Sequence, residues 1–185
     1  MKIYLPLITA LAIMASAQDQ TKTQPPRFEE YPVTEIFTGK PVPPLLETPL
    51  ERMYRTRIRE GVSKGWGVFR DDKEQPGPNF AGHYFVIQWG CGTGCLMMVV
   101  VDARSGKIYY LPLAFGRQSN QRIGLPMFGL SPAEVEFRVT SRLLKMNACP
   151  DQPEKPHASC YSYFYLWQDN SWRLLRQVRL ENNEF

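Results

Sequence analysis

Residues 79 to 110 constrain this chain more than any other stretch. Two apolar runs, Phe80 to Trp89 and Leu96 to Val101, meet at the glycine-rich turn Trp89-Gly-Cys-Gly-Thr-Gly-Cys95. A second turn, Ala103-Arg-Ser-Gly106, then leads into Lys107 to Leu111. Phe80 to Trp89 alternates as a strand does. Leu96 to Val101 is continuously apolar, which suits a strand covered on both faces. Strands joined this closely must be antiparallel neighbours, because a parallel crossover needs a dozen residues or more. The segment therefore predicts a β-meander, and the rest of the chain must cover its two faces.

The chain opens with Lys2, an apolar run from Ile3 to Met14 and the small-residue site Ala15-Ser16-Ala17. That order reads as a secretory signal, residues 1–17, cleaved near Ala17. The run is too short to span a bilayer, so no transmembrane segment is expected in the mature form. Cleavage leaves 168 residues, the usual size of one domain. Loss of Lys2 lowers the formal charge from +4 to +3. With acids and bases interspersed, this balance argues against nucleic acid as a partner. Residues 18–48 form a proline-rich arm (Pro25, Pro26, Pro32, Pro41, Pro43, Pro44) expected to lie extended across a single β-rich domain of residues 49–185.

The arm ends where a helix begins. Thr48 suits the N-cap, Pro49 the first helical position, and Glu51 completes a capping box. Leu50, Met53, Tyr54 and Ile58 form one apolar face, Arg52, Arg55 and Arg59 line another, and Gly61 is the expected stop. Glu51 and Arg55 are spaced to pair across one turn. Trp66 to Phe69 reads as a short strand, and 112–132 as a long loop without a period. Val135 to Met146 reads as one strand. Tyr161 to Gln168 and Trp172 to Leu180 read as a hairpin about Asp169-Asn170. The fold class expected is mainly β (α+β): an antiparallel meander or hairpin sheet domain with one N-terminal amphipathic helix packed on it.

Four cysteines in an exported chain favour two disulfides. Three connectivities exist. The local one, Cys91 with Cys95 and Cys149 with Cys160, is preferred because each pair brackets a turn-rich loop. Cys91 and Cys95 are spaced Cys-x-x-x-Cys without a thioredoxin-like pattern around them, so a redox pair is the weaker reading. A zinc site drawing on Cys149, His157 and Cys160 fails the paired spacing of zinc ribbons, and no metal is expected. The glycines match neither the dinucleotide nor the P-loop pattern, and no cofactor is expected. No G-x-S-x-G or H-E-x-x-H is present, so no catalytic residue is assigned.

The remaining candidates for function are Asn79, His83, Trp89 and the row Tyr163, Tyr165 and Trp167. On an alternating strand His83 shares a face with Phe85, Ile87 and Trp89, and reads first as a hydrogen-bonded core histidine. With Cys91 or Cys95 it could instead form a base and nucleophile. Tyr161, Tyr163, Tyr165 and Trp167 fall on one face of a strand, either a half-exposed sheet face or a platform for a glycan or peptide.

Asn79-Phe-Ala-Gly-His-Tyr84, Trp89-Gly-Cys-Gly-Thr-Gly-Cys95 and Val101-Asp-Ala-Arg-Ser-Gly-Lys107 together resemble an uncharacterised family of exported bacterial proteins. Ser141-Arg-Leu-Leu-Lys-Met-Asn147 and Tyr163-Phe-Tyr-Leu-Trp167 extend the resemblance. It implies a periplasmic or secreted location and the extent of the domain, and brings no catalytic residues. The function expected is a disulfide-stabilised binding or inhibitor-like module, its partner an envelope protein, a peptide or a glycan. The alternatives are an enzyme or thiol-redox protein using His83, Cys91 and Cys95, and an envelope structural or assembly factor acting through the arm.

Overall fold

The structure is a computed structural model that describes residues 24–64, 77–92, 95–111, 135–148 and 160–180, with backbone alone for 91–92, 95–96 and 148. The expected meander is there. β1 (Tyr84–Gly92), β2 (Cys95–Asp102) and β3 (Ile108–Tyr110) form a three-stranded antiparallel sheet in chain order. β4 (Val135–Phe137), β5 (Leu143–Ala148), β6 (Tyr161–Gln168) and β7 (Ser171–Arg179) form a second antiparallel sheet, also in chain order. The fold is thus mainly β, as the patterning predicts.

Alternation sorts the side chains into two cores. The pairs Val86↔Val100 and Gln88↔Met98 place one set of residues on the face toward the second sheet. There Tyr84, Val86, Met98 and Val100 pack against Leu144, Met146, Tyr163, Tyr165 and Trp167. The pairs Phe85↔Val101, Ile87↔Val99 and Trp89↔Met97 face the other way. They are covered by Ile58 and Val62 of the helix, with Phe37, Leu46, Leu50 and Tyr54 around them. Layers therefore run helix and arm, three-stranded sheet, four-stranded sheet. The middle layer is buried on both sides, which is why β2 is apolar at every position from 97 to 101.

The helix starts as predicted. Thr48 Oγ1 accepts from Glu51 N at 3.2 Å, and Glu51 Oε2 accepts from Thr48 N at 2.7 Å. It then departs from expectation in three ways. A break at Tyr54 divides it into α1 (Pro49–Met53) and α2 (Arg55–Lys64). Met53 is 69 % exposed and does not join the buried face. Gly61 does not end the helix but lies buried within α2, where a Cβ would come within 2.4 Å of Ile87 Cγ2. Glycine is there to let helix and sheet approach, not to stop the helix. Glu51 also bonds the Tyr110 hydroxyl across the layer rather than Arg55.

The single strand expected over Val135 to Met146 is two strands, β4 and β5, separated by a turn over 138–142. Ser141 N donates to Arg138 O at 3.2 Å. The buried Ser141 hydroxyl donates to Phe28 O at 2.8 Å and accepts from Leu143 N at 3.2 Å. No glycine or proline marks this turn in the sequence. A serine that satisfies itself against the arm makes it. The β6–β7 hairpin is as predicted, with Asp169 and Asn170 both left-handed at φ 51° and 56°. The predicted strand at Trp66 to Phe69, the 112–132 loop, the signal segment, Cys149 and His157 lie outside the described residues.

The arm holds one end of the molecule together. From a 3-10 turn at Phe28–Glu30 it runs past the turn over 138–142, where Val33 N donates to Thr140 O at 3.1 Å. Phe37 N then donates to Gly82 O at 2.9 Å, in the loop before β1. Val42 N donates to Ala103 O and Leu45 N to Gly106 O, both at 2.8 Å, in the β2–β3 turn. Three of the turns at this end thus accept a backbone bond from the arm. Two glycines make room for it: Gly82 at φ +81° and Gly106 at φ +74° sit where a Cβ would come within 2.4 Å of Glu35 O and 2.3 Å of Pro43 O.

Candidate functional site

The sequence candidates separate into structural groups. Asn79 docks its side-chain amide on the outer edge of β1: its Oδ1 accepts from Val86 N at 2.7 Å and its Nδ2 donates to Val86 O at 3.1 Å. It stands in for a missing neighbouring strand. Trp89 is 2 % exposed, with its ring 5.2 Å from Tyr54 between sheet and helix. Tyr163, Tyr165 and Trp167 are 4 %, 2 % and 3 % exposed and fill the space between the sheets. They are neither an exposed platform nor a half-exposed face. Trp167 and Trp172 meet there at 4.6 Å, and Tyr84 is edge-on to Trp167 at 5.2 Å. Burial raises the hydroxyl pKa of Tyr163 and Tyr165, so both stay protonated.

His83 sits in the turn before β1, not on the strand, so it does not share the face of Phe85, Ile87 and Trp89. Its ring lies against Tyr84 at 4.1 Å, and its Nε2 is 4.0 Å from Asp102 Oδ1, with the side chain 22 % exposed. Burial lowers its pKa, the Arg104 guanidinium lowers it further, and Asp102 and Glu35 oppose them without prevailing. Asp102 is occupied with its own turn: Oδ1 accepts from Arg104 N at 2.8 Å and Oδ2 from the Ser105 hydroxyl at 2.7 Å. Above the turn Arg104 pairs with Glu35 of the arm at 3.0 Å. The group is a clasp between arm and sheet.

His83 and Cys91 stand at opposite ends of β1. At ~3.3 Å per residue their positions are about 26 Å apart. A base–nucleophile pair of the two is not built by this backbone, nor is one with Cys95, which pairs with Gly92 at the same far end. Among the described residues there is no free cysteine, and no group of three His, Cys, Asp or Glu residues could hold a metal ion. Among the same residues no helix is long and apolar enough to cross a membrane.

A groove of about 500 Å³ lies on the outer face of the four-stranded sheet, where the arm crosses it. Phe164, which is 4 % exposed, and Val178 are among its apolar lining, and Pro25, Pro26 and Phe28 of the arm contribute from the other side. Charged side chains stand along it in fixed pairs. Arg138 donates to Glu29 at 2.6 Å and caps the Phe28 ring at 4.4 Å, while Lys145 donates to Glu136 at 2.7 Å. A backbone hydrogen bond at Glu29, aided by Arg138, holds the Glu29 carboxyl below its ordinary pKa. Arg179 lines the groove beside Val178. A groove with apolar lining and oriented charges can orient an amphipathic ligand.

Sequence reasoning missed this groove because its members lie on five separate segments. The available signal was the outward set Ser162 and Phe164 on β6, opposite the tyrosines, together with an arm long enough to reach them. Compared with known proteins, the chain matches no family model, no curated protein and no solved structure.

Proposed function

We propose that this protein is an exported, disulfide-stapled β-rich module that works by binding, and that its ligand lies in the groove between the arm and the four-stranded sheet. The observation that carries the reading is the groove: apolar lining from Phe164 and Val178, and the flanking pairs Arg138–Glu29 and Lys145–Glu136. The preferred ligand is a peptide or a glycan of a few residues, to judge by the volume. Export rests on the signal-like N-terminus. The local disulfide Cys91–Cys95 is supported by register, because Gly92 pairs with Cys95 and Gly90 with Leu96, leaving Cys91 between them across a two-strand ladder.

Peptide and glycan libraries screened by thermal shift and titration test the reading. A hit should lose affinity in Val178→Arg and Lys145→Glu, two changes at the groove that leave both cores intact. Robust turnover of any substrate that His83→Gln or Cys91→Ser abolishes would sink it. Thiol counting on the folded protein should find none reactive, and peptide mapping should join Cys91 to Cys95.

A further inference from the structure

Between the two sheets runs a continuous file of tyrosine and tryptophan rings. Centroid distances are 6.1 Å from Tyr161 to Tyr163, 6.3 Å from Tyr163 to Tyr165 and 6.3 Å from Tyr165 to Trp172. They are 4.6 Å from Trp172 to Trp167 and 5.3 Å from Trp167 to Tyr109. Every ring in the file gives up an electron more readily than phenylalanine does. Packing alone does not call for that. The Trp172 indole N–H is buried with no acceptor among the described residues. A buried donor without a partner is destabilising, and phenylalanine would avoid it.

The file ends on β3, where Tyr109 and Tyr110 face opposite cores. Tyr109 packs with the rings between the sheets, Tyr110 with the core under the helix. There the surroundings change. The Tyr110 hydroxyl donates to Glu51 Oε1, and Glu51 is buried. Burial pushes the Glu51 carboxyl up, but its hydrogen bonds outweigh burial, so it is ionised at neutral pH. Tyr84, edge-on to Trp167, donates instead to the Asn170 amide, which takes no proton. A phenol that loses an electron becomes a strong acid. A tyrosine already bonded to a carboxylate is therefore easier to oxidise than one bonded to an amide.

We propose that the file is a relay for oxidising equivalents, and that Tyr110 with Glu51 is the site where they come to rest. The co-reactants are a one-electron oxidant, of the oxygen-centred radical class, and a small reductant such as ascorbate or a thiolate. The oxidant takes one electron from Tyr161, at the half-buried end of the file, and the hole passes ring by ring to Tyr109 and Tyr110. Tyr110 loses its hydroxyl proton to Glu51, leaving a neutral phenoxyl radical beside a carboxylic acid. One electron from the reductant and the proton returned by Glu51 restore the phenol. The net change is one oxidant reduced and one reductant oxidised, by a single electron each. This activity is separate from binding in the groove and does not depend on it.

The test uses the full chain with a ruthenium tris-bipyridine photo-oxidant attached through the substitution Arg179→Cys, opposite Tyr161 in the ladder. A flash with persulfate as electron acceptor should give a long-lived neutral tyrosyl radical, seen by absorption and electron paramagnetic resonance. Tyr110→Phe should abolish the long-lived signal. Glu51→Gln preserves the capping box but takes no proton, and should slow radical formation on the order of a hundredfold. Trp167→Phe should abolish the signal from the attached oxidant. The same variant should still give it with free oxidant, which reaches the half-buried Tyr110 directly and so shows that the fold is intact. A radical that settles on Tyr161, or a rate that Glu51→Gln leaves unchanged, overturns the proposal. So does a Tyr110 radical that Trp167→Phe does not diminish.

Discussion

At the scale of single residues, side chains that look chemically promising are here joining backbone to backbone. Asn79→Ala should cost about 1–3 kcal/mol, because the N–H and C=O of the buried Val86 lose their partners. Denaturant unfolding measures it, and Asn79→Asp, which keeps the acceptor alone, should fall between. His83 sets a pH response. Its folded pKa lies below 6.5, so the unfolded chain binds the proton more readily. No penalty exists above 6.5; stability declines as pH falls below it and levels off below the folded pKa. Melting temperature should therefore drop as pH falls below about 6.5, and His83→Gln should flatten that part of the curve. Glu51 acts in a lower window. Burial pushes its carboxyl up, but bonds from the Tyr110 hydroxyl and the Thr48 and Glu47 backbone together bring it below 4.5. The stability it adds is present above 4.5 and is lost as pH falls through the folded value.

At the scale of elements, the hairpins were legible because turn chemistry and period agree. Asp169-Asn170 between alternating runs reads the same in sequence and structure. The turn over 138–142 was not legible, because Ser141 makes it with partners at Phe28 and Tyr31, more than a hundred residues away. Gly61 was misread for a related reason. Glycine near a helix end ordinarily stops it, and only the packed sheet shows that the site is a contact. The consequence is a reversal of the usual propensity rule. Gly61→Ala gains about 1 kcal/mol in helix propensity, yet the added methyl collides with the buried Ile87, so the variant should be destabilised by about 1–3 kcal/mol. Ile87→Ala removes the colliding atoms, so a double-mutant cycle measured by denaturation should show strongly favourable coupling between the two changes.

At the scale of the molecule, the sequence discloses layers better than surfaces. Continuous apolarity in β2 announces a strand covered twice, and it is. The aromatic row on β6 does not say which layer it faces, and a second sheet turns a would-be platform into a core. The groove is invisible for the opposite reason: its members become neighbours only once the arm crosses the outer sheet. The arm is thus a working part of the architecture. Gly82→Ala together with Gly106→Ala places methyls against Glu35 O and Pro43 O at two left-handed positions. We expect the pair to loosen the arm, read as faster proteolysis between Val33 and Leu45 while the β6–β7 hairpin amides keep their exchange protection.

That same arm gives the protein an order of assembly. Phe28 meets Ser141 across 113 residues, and Glu29 meets Arg138 across 109. A ribosome adding ~5–20 residues per second delivers the acceptor end roughly ten seconds after the arm has emerged. For that interval Phe28 and Glu29 have no site to dock on, although Phe37, Val42 and Leu45 can already dock on the meander. The start of the arm closes only once the turn over 138–142 has formed. A chaperone, a protease or a competing peptide that reaches the arm in this interval acts before the groove it walls has come into being.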